Sequence, residues 1–210
     1  MHTYSLTVAG LHRELPICKV TEDLHIGAFI CFGDAELTVA CAKAMLELLD
    51  PNSYDYLFTA EAKSIPLIHE MARQSGAKKY FIARKGEKVY MPNPIHVEDK
   101  SITTAGTQRL YLGSDDAALI RGKRIVLMDD VISTGGSLLA MEHLVELAGG
   151  HIDHMELFVE LTVYFAGIAF FHRHKHVLLS YRQAGGNLST GICFINSSYY
   201  HSLFRLSTKK

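Results

Sequence analysis

The strongest constraint on how this chain can fold is a short apolar run that ends in two acids. Residues 124–128 read Arg-Ile-Val-Leu-Met, a continuous stretch typical of a strand covered on both faces. Asp129 and Asp130 follow directly, then a loop of small residues, Ser133-Thr134-Gly135-Gly136-Ser137. Leu138, Met141, Leu144, Val145 and Ala148 then recur at helical spacing, which predicts a helix over 136–147 stopped by Gly149-Gly150. A buried strand that runs into a helix is the unit of a parallel sheet, because parallel strands need a crossover connection.

The flanking segments repeat that alternation. Asp34 stands where a helix cap is needed. Leu37, Ala40, Cys41, Ala44, Met45, Leu48 and Leu49 then mark an amphipathic helix ending before Pro51. A strand over 56–59, a helix over 65–74 closed by Gly76, a strand over 79–83 and a strand over 152–163 complete the core. Residues 15–31 read as short strands and turns. Residues 86–120 carry no sustained helical period, and 101–112 predict a hairpin. The fold class is therefore α/β: a Rossmann-like parallel sheet with helices on both faces. Ligands in such sheets sit at the carboxyl ends of the strands.

The segment 124–144 has the parts of a sugar-phosphate site. Two glycines let backbone N–H groups approach an anion, and a helix start adds free donors and partial positive charge. The hydroxyls of Ser133, Thr134 and Ser137 complete a phosphate cup with Gly135 and Gly136. Asp129 and Asp130 would repel a phosphate but suit the neutral cis-diol of a ribose. Two adjacent acids ending a buried strand are costly without a ligand or partner. The glycine-lysine pair of a P-loop is absent, as is the dinucleotide glycine pattern.

VLMDDVISTGGS resembles the signature of the type I phosphoribosyltransferase family: four apolar residues, two acids and a small-residue loop ending T-G-G-[ST]. The resemblance implies that fold with a small hood, and binding of phosphoribosyl pyrophosphate. It extends to TAEAKSIPL (59–67), which is similar to the pyrophosphate loop E-A-R-G-F of adenine phosphoribosyltransferases, with Lys63 where that pattern has arginine. Glu61, Ala62, Lys63 and Ser64 would then face pyrophosphate. ARKGEKVYMP (83–92) is similar to V-R-K-P-G-K-L-P, which would add Arg84 and Lys85. VELT (159–162) resembles a further strand of that subfamily.

By the same resemblance, 97–118 takes the place of a mobile catalytic loop that closes over the substrate and excludes water. Thr104, Gly106, Arg109 and Tyr111 are its candidates, with Arg109 and Tyr111 expected beside Asp129 and Asp130 in catalysis. Mg2+ is the expected cofactor, held mainly by substrate oxygens, with Asp129 and Asp130 as protein contacts. Phe29 is the candidate for stacking on the base. Adenine is the first choice of base, and xanthine or another purine stays open. The expected partners are phosphoribosyl pyrophosphate, a purine base and a second copy of the chain in a homodimer. Neither a membrane nor nucleic acid is expected. The competing reading is a non-catalytic regulator that resembles bacterial purine repressors, to which SIPL (64–67) is also similar. Those repressors carry an N-terminal winged helix, for which few residues precede the first helix here.

Composition divides the chain. Residues 1–160 hold all 22 acidic residues against 15 Lys and Arg, whereas 161–210 hold six Lys and Arg and no acid. Three readings of that tail stand: a basic extension for an acidic partner or nucleic acid, a divergent closing strand with a loose end, or a shifted reading frame. His172, His174 and His176 alternate there as strand residues would, more in keeping with a solvated basic edge than a metal site. The expected division is a hood over 1–32, a core over 33–163 and the basic segment over 164–210. Four scattered cysteines and the lack of a secretory pattern or a 20-residue apolar run fit a cytoplasmic protein with free thiols.

Overall fold

The computed structural model describes residues 2–19, 25–99, 108–132, 136–160, 177–181 and 189–193. The central sheet holds four strands: β4 (Tyr56–Ala60), β5 (Phe81–Ala83), β8 (Arg124–Ile132) and β9 (His151–Glu160). Their order is β5-β4-β8-β9 and every pairing is parallel. The remaining strands are β1 (Thr3–Val8), β2 (Leu11–Lys19), β3 (His25–Gly27), β6 (Ile95–Asp99), β7 (Gln108–Leu112), β10 (Val177–Tyr181) and β11 (Ser189–Cys193). The helices are α1 (Ala35–Leu46), α2 (Ile65–Ser75), α3 (Ser114–Ile120) and α4 (Gly136–Leu147).

The apolar run in β8 is buried on both sides, as its composition demands. Ile125 and Leu127 face one core with Phe58, Phe81 and the α4 residues Leu138, Met141, Leu144 and Val145. Val126 and Met128 face the other, with Leu57 and residues of α1 and α2 such as Leu37, Met45, Leu67 and Met71. The three-stranded antiparallel sheet β1-β2-β3 lays Leu6, Val8, Leu11 and Leu15 onto that second core.

Several boundaries move. The first helix ends at Leu46, and Leu48 lies exposed beyond it, because a turn follows the Glu47 cap. Gly76 ends α2 with φ 75°, as its position suggested, and Ala77 N–H donates back to Ala72 O. The predicted hairpin exists, but its first strand is 95–99 rather than a segment after Ser101. Ile95, Val97, Leu110 and Leu112 face the core, and His96, Glu98, Arg109 and Tyr111 lie on the other face. Helix α3 went unpredicted: seven residues are too few to show a period. Thr104, Gly106 and the histidines 172, 174 and 176 lie outside the described residues. The tail contributes β10 and β11, an antiparallel pair. No helix among the described residues is long and apolar enough to cross a membrane.

Candidate active site

The parallel register brings three strand ends to one edge. Ala60 pairs with Ala83, so Glu61–Ser64 after β4 lies beside Arg84 and Lys85 after β5. The Thr59 hydroxyl donates to Met128 O at 2.8 Å, which fixes the end of β4 against β8 just before the acids. Asp129 and Asp130 are the sixth and seventh of the nine residues of β8.

The acids are bridged by a residue from the neighbouring loop. Ser64 Oγ lies 2.7 Å from Asp129 Oδ1 and 2.9 Å from Asp130 Oδ1, with one proton for the two, and accepts the Asp130 N–H at 3.1 Å. Asp129 Oδ1 also accepts that N–H at 2.9 Å. Asp130 is 4% exposed and its Oδ2 is buried without a hydrogen-bond partner. Burial, and then the charge of Asp130, push the Asp129 carboxyl up to about 7. Two like charges this close disfavour full ionisation of Asp129. The Cys31 thiol is also pushed up, to about 11, by burial and then by the charges of Asp130 and Asp129.

Glu61 organises the second cluster. Its backbone N–H donates to Ala83 O at 2.9 Å. Its Oε1 accepts the Lys85 N–H at 2.5 Å, and its Oε2 lies 2.9 Å from Arg84 Nε. The Glu61–Ala62 peptide is cis. Lys63 and Lys85 are exposed. Arg84 exchanges both backbone hydrogen bonds with Tyr111, at 2.9 and 2.8 Å, so the hairpin abuts this cluster.

The four helix starts differ. Helix α1 has Asp34 as its cap and Glu36 in its first turn, and α3 has Asp115 and Asp116. Helices α2 and α4, which begin at the strand ends, carry no acid in the first turn. No acidic side chain offsets the partial positive charge of these two first turns. Gly136 and Ser137 open α4, whereas Ser133, Thr134 and Gly135 lie outside the described residues.

Four of the expected site residues have other partners in this structure. Phe29, expected to stack on a base, is 2% exposed and packs in the core with Leu37 and Cys41. Phe32, on the same loop, is 47% exposed. The segment 29–32, Phe-Ile-Cys-Phe, is apolar throughout, so the sequence carries no signal that separates the two. Ser64 was expected on pyrophosphate, but its hydroxyl is engaged by the acid pair. Glu61 was expected there too; it is an anion, and it is spent on Arg84 and Lys85. Arg109 was expected in catalysis, and its guanidinium is instead 2.7 Å from Glu98 Oε1 across the hairpin. Tyr111 stacks on His96 with ring centroids 5.3 Å apart.

A parallel α/β sheet with paired carboxylates near the end of β8, followed by a helix that opens on Gly136, is the frame of a sugar-phosphate-binding domain. Residues 35–152 match the phosphoribosyl transferase domain, and the chain belongs to that family. It is 33% identical over 129 residues to an adenine phosphoribosyltransferase of Corynebacterium glutamicum, covering 61% of this chain and 67% of the relative. It is 32% identical over 120 residues to a hypoxanthine/guanine phosphoribosyltransferase of Methanotorris igneus, covering 57% and 61%. With some relatives the match spans much less, such as 37% of the Corynebacterium jeikeium adenine phosphoribosyltransferase. Among solved structures, an adenine phosphoribosyltransferase from Thermoanaerobacter pseudethanolicus superposes with TM-score 0.58 at 21% identity, covering 70% of this chain and 83% of that one. That likeness shows the shared fold.

Proposed function

We propose that the chain transfers the ribose 5-phosphate of phosphoribosyl pyrophosphate to a purine base, with adenine as the first choice, releasing pyrophosphate. The observation that carries this is the acid pair near the end of β8, Asp129 half-buried and Asp130 buried, beside an α4 whose first turn has no acid. In this reading Gly136 and Ser137, with Ser133, Thr134 and Gly135, hold the 5-phosphate. Asp129 and Asp130 accept hydrogen bonds from the ribose diol. Lys63 and Lys85 face pyrophosphate with the amides at the start of α2, and Glu61 keeps Arg84 alongside. Phe32 offers the base a stacking surface. A base nitrogen attacks C1 while the C1–O bond to pyrophosphate breaks, and positioning with charge stabilisation carries the rate.

Asp130 Oδ2, a hard oxygen buried with no partner, suits a cation. In this reading Asp129 and Asp130 would be the protein contacts of Mg2+, which would offset the negative charge of the substrate. Among the described residues no cluster of three or more His, Cys, Asp or Glu could hold a metal. A hood over residues 1–32, a homodimer and a cytoplasmic setting belong to the same proposal.

The test is incubation with magnesium, phosphoribosyl pyrophosphate and a panel of labelled bases. Nucleotide from adenine, lost on adding a chelator, is the expected result. Product from hypoxanthine, guanine or xanthine instead would reassign the base. Tight binding of phosphoribosyl pyrophosphate with no product from any base would turn the reading to a regulator. Gel filtration tests the dimer.

A further inference from the structure

Ser64 does something that neither of its neighbours in the loop can do. It is 1% exposed and heads α2, yet its hydroxyl makes no hydrogen bond to that helix. A serine at a helix start ordinarily accepts from the N–H two or three residues on. Here the hydroxyl turns across to β8, 65 and 66 residues away in sequence, and meets Oδ1 of both acids. The Asp130 N–H donates to the same oxygen. Ser64 therefore sits at a junction. One side is the loop 61–64 that carries Lys63, and the other is the acid pair.

We infer that Ser64 is a positioning residue that sets the acid pair for the ribose diol and locks it to the pyrophosphate loop. The inference rests on the phosphoribosyl pyrophosphate reading. A carboxylate can rotate about its last bond, and a diol needs acceptor oxygens at fixed places. By occupying Oδ1 of each acid, Ser64 fixes that rotation and leaves Oδ2 of Asp130 without a partner. It also draws two like charges together around one hydroxyl proton, an arrangement that the pair would otherwise resist. Because the same residue begins α2, the diol site and the loop amides keep one relative geometry. A ligand with a diol and a pyrophosphate on one ring needs both at once.

The test uses the full chain with Ser64→Ala and Ser64→Gly, the latter placing glycine where the E-A-R-G-F pattern has it, so that no bulk is added. Binding of phosphoribosyl pyrophosphate with magnesium is measured by calorimetry, and the KM of the base by steady-state assay. We expect both variants to bind phosphoribosyl pyrophosphate about tenfold or more weakly, the size of a hydrogen bond to a charged group. The KM for the base should stay within about twofold, and thermal melts should show both variants folded. Ser64→Thr, which keeps the hydroxyl, should recover most of the affinity. Unchanged or tighter binding in the alanine and glycine variants overturns the inference, as does an equal loss for both ligands. A wild type that binds phosphoribosyl pyrophosphate but forms no nucleotide defeats the enzymatic reading alone, and the ratio of affinities still decides the role of Ser64. A wild type that fails to bind it defeats both.

Discussion

Helices α1 and α2 are nearly equal in length, 12 and 11 residues, and they begin in opposite ways. At α1, Asp34 accepts the Leu37 N–H at 2.9 Å, and Arg13 from β2 clamps that carboxylate through Nε at 2.6 Å and Nη2 at 3.2 Å. Arg13 also reaches Glu36 at 2.8 Å. Every charge there has a partner, and the Asp34 carboxyl is held below its ordinary range, first by Arg13 and then by the Leu37 N–H. At α2 the serine that should cap the helix is diverted to two acids, one of which is pushed up in pKa. A chain that closes one helix end with its own acid and leaves another open, beside surplus carboxylates, has kept the second for something outside itself. Unsatisfied groups are costly, and they cluster where a ligand completes them.

That contrast can be broken by substitution, and the largest effect should fall on the open site. Asp130→Ala removes a charged acceptor, so kcat/KM for phosphoribosyl pyrophosphate should fall about a hundredfold, or ~3 kcal/mol. Unchanged activity in that variant would count against the diol assignment.

Stability should move the other way at the same site. A carboxyl raised from 3.8 to about 7 binds its proton more tightly folded than unfolded. Its contribution therefore favours folding at low pH and turns against it as pH climbs through that interval. Without magnesium, Asp129→Asn should stabilise the protein clearly at pH 8 and much less at pH 4. A variant less stable than wild type at pH 8 would show that Asp129 is as well satisfied as Asp34.

The closed site predicts the reverse sign. Asp34→Ala should cost ~1 kcal/mol at neutral pH, as loss of a helix cap does. Since the Asp34 pKa is lowered, this stability is present above 3.8 and fades as pH falls through its folded value. Urea melts at pH 7 and pH 3 would show the wild-type advantage shrink. The smallest effect belongs to Glu36, whose side chain is 70% exposed. Glu36→Gln should leave the melting temperature unmoved, because exposed ion pairs contribute little. A clear loss would mean that the Arg13 cluster works as one network.

The order of strands and helices, the acid pair and the glycine-led loop could be read from the sequence because each is local. A period of two or 3.6 residues, a cap and a glycine stop are written within a few neighbouring positions. The exceptions follow the same logic. Helix α3 has too few residues to show its period, and β6 begins in a segment rich in proline that hides its alternation. The family signature at 125–137 was legible for the same reason, since every residue in it is contiguous.

What the tertiary structure alone decided is which side chains meet. Ser64 and Asp130 come together because β4 and β8 are paired in a particular register, and Glu61 meets Arg84 because Ala60 lies opposite Ala83. Nothing in a linear pattern encodes that register. The same holds for Phe29 and Phe32, three positions apart on one loop, where burial removed one and exposed the other. Local chemistry selected the elements, and long-range packing set the partners, the burial and hence the proton affinity of the acids.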